Sequence, residues 1–205
     1  IGAAIAKKFM ENGYKVIYEP NAVVQHFEFG SSQSSDNAIA LQVKNRKIFN
    51  EIHKLQLTTH FKPNPNNILK ARHIAAISKN KGRILFIDDM VPHVDKGSGY
   101  PRANLILNLL AKMGYAMTML PLNLLNEENW DEVYRDIDRS IEIRGNVVRK
   151  GFLEFLIERA GYYDVIWISR PHNMKFFNSH IETVKTYFPS SKIIYDAEAI
   201  FAKRD

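Results

Sequence analysis

From Arg83 onward the chain alternates short apolar runs with longer amphipathic stretches. ILFI at 84–87, AMTML at 116–120, DVIWIS at 164–169 and KIIYD at 192–196 are rich in branched and aromatic side chains and bounded by polar or turn residues. That is the pattern of buried strands. IEI at 141–143 adds a short fifth run. Between the runs, helical periodicity predicts helices over 101–113, closed by Gly114, over 126–139, over 150–160, ended by Gly161, and over 174–188. Strands spaced by helices imply right-handed crossovers, and so an α/β, Rossmann-like parallel sheet with helices on both faces.

The first 60 residues follow another rhythm. A helix over 3–11 stops at Asn12-Gly13, two strand-like runs follow at 15–18 and 22–26, and a polar loop at 30–36 leads to Asp36, which can cap a helix reaching about residue 57. Two helices and two short strands cannot close a core, so 1–60 is expected to be the tail of a larger domain. KPNPNN at 62–67 is linker chemistry, since its prolines lack a donor and favour extended backbone. The predicted organisation is therefore 1–60, a linker at 61–82 with a short helix over 68–77, and a second domain at 83–205.

Of the 205 residues, 45% are hydrophobic and 24% charged, an ordinary globular balance with room for one full core and part of another. The chain starts at Ile1 without an initiator Met or a leader pattern, and it is expected to be a piece of a longer protein. No apolar run approaches the roughly 18 residues that span a bilayer. Zero cysteines exclude disulfides, thiolate metal sites and a cysteine nucleophile, and agree with a cytoplasmic location. A net charge of +6 suits polyanions, but the Lys and Arg residues are scattered without a basic run or a nucleic-acid-binding signature, so nucleic acid is not expected as a partner.

In wound parallel sheets ligands bind at the carboxyl ends of the strands. There the chain places Asp88 and Asp89 after the first strand, Ser169-Arg170-Pro171-His172 after the fourth and Asp196-Ala197-Glu198 after the fifth. Gly97-Ser98-Gly99 precedes the first long helix, and Arg102 lies early in it. Glycines let backbone N–H groups approach a phosphate, and a helix N-terminus favours an anion. Gly97, Ser98, Gly99 and Arg102 are therefore candidate phosphate contacts. Asp88, Asp89 and Arg170 are candidate substrate contacts, and His172 is a candidate catalytic group.

Three segments, ILFIDDMVPHVDKGSGYPR, YDVIWISRPHN and KIIYDAEAIFAKR, resemble in order and spacing the N-terminal half of a family 4 (GT-B) glycosyltransferase. The resemblance covers 83–205. It implies an acceptor-binding half whose glycine loop approaches the donor phosphates, with the donor held chiefly by a second Rossmann-like half beyond residue 205. Related enzymes place catalytic or acceptor-contacting residues at the strand end held here by Asp196 and Glu198, so the resemblance implies Asp196 as a candidate catalytic group and Glu198 as a candidate substrate contact, although those enzymes often carry His-Asp where this chain has Tyr195-Asp196. ENGYKVIYEPNAVVQHFEFGSS and LQVKNRKIFNEIH resemble the C-terminal end of a family 2 (GT-A) glycosyltransferase, without the acidic pair that family places before the Gly-Tyr. His26 is a weak metal-ligand candidate on that resemblance.

The resemblance implies sugar transfer from a nucleotide-sugar donor to a glycan or other hydroxyl acceptor, in surface-polysaccharide synthesis, with little activity from this chain alone. No cofactor is required in the GT-B-like part, and a divalent metal belongs only to a complete GT-A-like domain. No transmembrane segment is expected, and peripheral membrane contact stays open. Two rival readings are a non-catalytic Rossmann-like binding or assembly module and a nucleotide-dependent oxidoreductase or epimerase. The second suffers from a glycine fingerprint lacking its third glycine. His53, His60, His73 and His180 show no metal-ligand spacing, and Trp167 reads as core.

Overall fold

The computed structural model describes residues 2–14, 16, 21–25, 34–58, 60–62, 64–67, 81–97, 99–123, 125 and 129–198. It divides into two compact units, Ile1–Ala71 and Arg72–Asp205.

In the first unit, α1 (Gly2–Glu11) stops at Gly13, whose φ of 82° is the left-handed geometry glycine favours. Tyr14 folds back so that its ring meets Phe9 edge to face, with centroids 5.8 Å apart. Residues 22–25 carry no regular secondary structure, and most of the run expected at 15–18 lies outside the described residues, as does the helix expected at 68–77. α2 (Ser35–Ile52) is capped by Ser34 rather than Asp36: the Ser34 hydroxyl accepts from the Asn37 N–H. A break at His53 separates it from α3 (Lys54–Leu57). Pro65–Asn67 forms one 3-10 turn.

The second unit is a five-stranded, wholly parallel sheet flanked by helices, a Rossmann-like α/β fold. Its strands are β1 (Arg83–Asp88), β2 (Ala116–Pro121), β3 (Glu142–Ile143), β4 (Val165–Ser169) and β5 (Lys192–Asp196), in the spatial order β3-β2-β1-β4-β5. Side chains alternate along β1 and feed two cores. Ile84 and Phe86 join Met117, Met119, Ala103 and Leu107, the last two from α4 (Tyr100–Lys112). Leu85 and Ile87 face the opposite way, onto Phe152, Phe155 and Leu156 of α6 (Phe152–Glu158), Phe177 of α7 (Pro171–Asn178) and Val184 of α8 (Ile181–Tyr187). Trp167 stacks on Phe86 with centroids 5.9 Å apart, as a core residue. β5 is the exposed edge, with Ile193, Ile194 and Tyr195 each open to solvent.

Two helices depart from the sequence pattern. In place of one over 126–139, only α5 (Trp130–Val133) forms within the described residues. The following backbone is claimed by α4 side chains instead: the Asp138 N–H donates to Asn108 Oδ1, and the Asp136 carbonyl accepts from Asn104 Nδ2 and Asn108 Nδ2. The helix expected over 174–188 is split between α7 and α8, where the Ser179 hydroxyl donates to the Phe176 carbonyl at 2.6 Å and ends the first turn sequence.

Candidate functional site

Strand order reverses between β1 and β4, because β1 leads through α4 to β2 on one side while β4 is added on the other. Ile87 lies opposite Ile168, so Asp88 and Asp89 leave the sheet beside Ser169 and Arg170. Ser169 in turn lies opposite Asp196, and the Arg170 N–H donates to the Asp196 carbonyl at 2.9 Å. Register alone therefore brings three of the expected clusters to one mouth at the switch point, where such sheets bind ligands.

Arg170 is the hub of that mouth. Its Nε donates to Asp88 Oδ1 at 2.8 Å and stands 3.7 Å from Asp89 Oδ2. Nη2 lies 3.3 Å from Glu198 Oε1, an ion-pair contact without hydrogen-bond geometry. The guanidinium rests on the Tyr100 ring, 3.9 Å from its centroid. Burial alone would lower the Arg170 pKa, but the charge and hydrogen bond of Asp88, then the Tyr100 and Glu198 charges, hold it above the usual value. Tyr100 is raised chiefly by burial, against the opposing charge of Arg170.

Asp88 is fully buried, at 0% exposure, and its Oδ2 has no hydrogen-bond partner. Burial pushes its carboxyl up to about 6, outweighing the Arg170 charge and the Asp89 N–H that both favour the anion. Asp89 is half-buried, with its side chain 13% exposed, and accepts from His172 Nε2 at 2.6 Å. His172 is 56% exposed, and its Nδ1 makes no hydrogen bond among the described residues. Arg149, which follows β3, donates from Nη2 to Asn173 Oδ1 at 3.1 Å and lies 3.9 Å from Asp89 Oδ1.

Asp196 has both oxygens engaged. Oδ2 accepts from Arg102 Nη1 at 2.5 Å and Oδ1 from the Glu198 N–H at 3.2 Å. Gly99 caps α4 at φ 79°, and a Cβ there would overlap the Glu198 carboxylate. The α4 end offers few free amides: the Tyr100 N–H donates to the Gly97 carbonyl, and Pro101 has none. A Cβ on Gly97 would meet nothing within 4 Å, so that side of the loop is open. Among the described residues, the non-glycine positions with positive φ are Val148 (44°), Arg170 (77°) and Glu198 (60°). Two of them belong to this mouth and the third immediately precedes Arg149. Each holds strain of about 1–3 kcal/mol, which the surrounding contacts must sustain.

The structure thus gathers Asp88, Asp89, Gly99, Arg102, Arg170, His172, Asp196 and Glu198, while Ser98 and His26 lie outside the described residues. It adds Tyr100, Arg149 and Asn173, which the sequence reading passes over. Tyr100 had a signal, following the glycine loop directly, whereas Arg149 sits in an irregular segment without periodicity. His93 is a further buried residue, its Nδ1 2.6 Å from Asp136 Oδ1, and it ties α4's preceding loop to the segment after α5. His180 packs against Phe152 and Phe176. Among the described residues no group of three or more His, Asp or Glu side chains is arranged to hold a metal ion, and no helix is long and apolar enough to cross a membrane.

Together these features define a Rossmann-like α/β protein with a charged, strained mouth at its topological switch point. No protein-family model matches the chain, and neither a curated protein nor a solved structure matches it.

Proposed function

We propose that the chain is part of a glycosyltransferase whose parallel-sheet unit receives a hydroxyl acceptor, a glycan above all, for transfer from a nucleotide sugar. The observation that carries this reading is the His172–Asp89 pair at the switch point, with Nε2 and Oδ1 2.6 Å apart and the imidazole exposed. With Asp89 accepting from Nε2–H, Nδ1 is the basic nitrogen and is free to take a proton. The acceptor hydroxyl gives that proton to Nδ1 as its oxygen bonds to the anomeric carbon. The bond from that carbon to the diphosphate breaks, and the leaving group keeps the electron pair. Asp89 stabilises the imidazolium, a hold strengthened by its position at the edge of a buried cluster. Asp196, bound on both oxygens, serves to fix Arg102 and the β5 exit rather than to move a proton.

Calorimetric titration of short glycans, a nucleoside diphosphate and a dinucleotide tests the reading. Glycan binding that is lost in His172→Ala supports it. Preference for the dinucleotide would favour an oxidoreductase or epimerase, and binding of neither glycan nor nucleotide would favour a non-catalytic assembly module.

A further inference from the structure

Arg149 is the mouth residue that the transfer chemistry leaves without a task. Its backbone is fixed at the exit of β2, where the Arg149 N–H donates to the Leu122 carbonyl at 3.1 Å. The preceding Val148 is held at φ 44°, a conformation that a β-branched residue rarely adopts. The side chain is fixed as well. Nη2 donates to Asn173 Oδ1 at 3.1 Å, and Asn173 is itself fully buried and anchored through Nδ2 to the Ser169 carbonyl. The guanidinium carbon stands 4.9 Å from the centroid of the Phe176 ring.

Those restraints hold a fork that the protein does not close. Arg159 of the same unit shows the structural alternative: it is buried and grips Glu142 with two hydrogen bonds, at 2.7 and 3.1 Å. The Arg149 side chain is 39% exposed, and its ion-pair contact, Asp89 Oδ1, lies 3.9 Å away and already accepts from His172. Nε and Nη1 of Arg149 make no hydrogen bond among the described residues. An arginine already held in place binds an anion at little further entropic cost, and its planar donors match a carboxylate.

The location selects the ligand. Arg149 and His172 both approach Asp89 Oδ1, so guanidinium and imidazole stand side by side at the mouth. One sugar ring carrying a hydroxyl and a carboxylate on neighbouring carbons can offer the first to His172 and the second to Arg149. We propose that Arg149 is a specificity-determining residue that binds the carboxylate of an acidic sugar, so that the acceptor is a hexuronic acid or a glycan ending in one. The proposal rests on the proposed function in taking a hydroxyl acceptor at His172, and adds to it the charge on that acceptor.

Calorimetry on the 205-residue chain tests it with three ligands: a disaccharide ending in glucuronic acid, the same disaccharide with that carboxyl reduced to a primary alcohol, and the 6-phosphate of the reduced form. The acid is expected to bind about tenfold tighter than the reduced form, the worth of hydrogen bonds to a charged group. That ratio falls to about one in Arg149→Gln and Arg149→Ala. In Arg149→Lys, which keeps the charge without the fork, it drops but stays above one, and this variant carries the test should the neutral ones fail to fold. Lys112→Gln removes an exposed charge at the far end of α4 and is expected to change the ratio less than about twofold, because salt screens it. Equal affinity for acid and reduced form overturns the proposal. So does a ratio that survives in Arg149→Gln, an equal loss in Lys112→Gln, or tighter binding of the phosphate than of the acid. Binding of neither disaccharide overturns it together with the proposed function. The two fail separately in other results: a ratio set by Arg149 without dependence on His172 refutes the base alone, and His172-dependent binding without a ratio refutes the acidic acceptor alone.

Discussion

Arg170 Nε donates to Asp88 Oδ1 across 2.8 Å, with the aspartate at 0% exposure and the arginine side chain at 10%. The pair joins the ends of the two strands between which the sheet changes direction. Removing one member leaves the other charge buried. Arg170→Ala is therefore expected to destabilise the second unit by about 3–5 kcal/mol. Adding Asp88→Asn should cost less than the sum of the two single changes, by about 0.5–3 kcal/mol of coupling. Urea unfolding followed by tryptophan fluorescence measures this, because Trp130 and Trp167 both belong to that unit. Additive losses would mean that the two side chains stabilise independently.

Asp88 also gives the fold a pH dependence of definite sign. Its carboxyl moves from 3.8 to about 6 in the folded chain, so between those values the folded state holds a proton that the unfolded state has released. The contribution is full below about pH 4 and is lost as pH rises through about 6, a change of up to about 3 kcal/mol. Asp88→Asn cannot titrate. The stability of the original chain relative to this variant should fall across that window, and a flat difference would contradict the burial argument.

His172 is exposed and touches the fold through one hydrogen bond. His172→Gln is expected to leave stability within about 0.5 kcal/mol, as for an ordinary surface change. In a transfer-competent protein containing this unit, the same change should lower turnover by about 10²–10⁴-fold, the usual worth of a positioned base. Asp89→Asn should lower it in the same sense by presenting the wrong partner to Nε2. Full turnover in His172→Gln would remove the base from the mechanism.

The parts of the fold visible in the sequence were those written in a short period. ILFI, AMTML, VIWIS and KIIYD each carry a strand's worth of branched and aromatic residues, and the polar residues after them arrive at the mouth because strand register is rigid. What the sequence hid depends on contacts distant along the chain. Residues 134–138 lack a helix because Asn104 and Asn108 of α4 compete for that backbone, and nothing local announces this. Likewise the pairing of Arg102 with Asp196 spans 94 positions and has no local signature. A basic residue early in a helix reads the same whether its partner is a ligand or the protein's own carboxylate.

The central claim is that ligands enter at the switch point between β1 and β4. Amide chemical-shift mapping of the isotope-labelled chain, titrated with a short glycan and then with a nucleoside diphosphate, tests it most directly. Shifts are expected to concentrate at Asp89, Gly99, Tyr100, Arg170, His172, Asn173 and Glu198. Shifts centred instead on the opposite end of the sheet, around Arg83, Asp164 and Lys192, would contradict it.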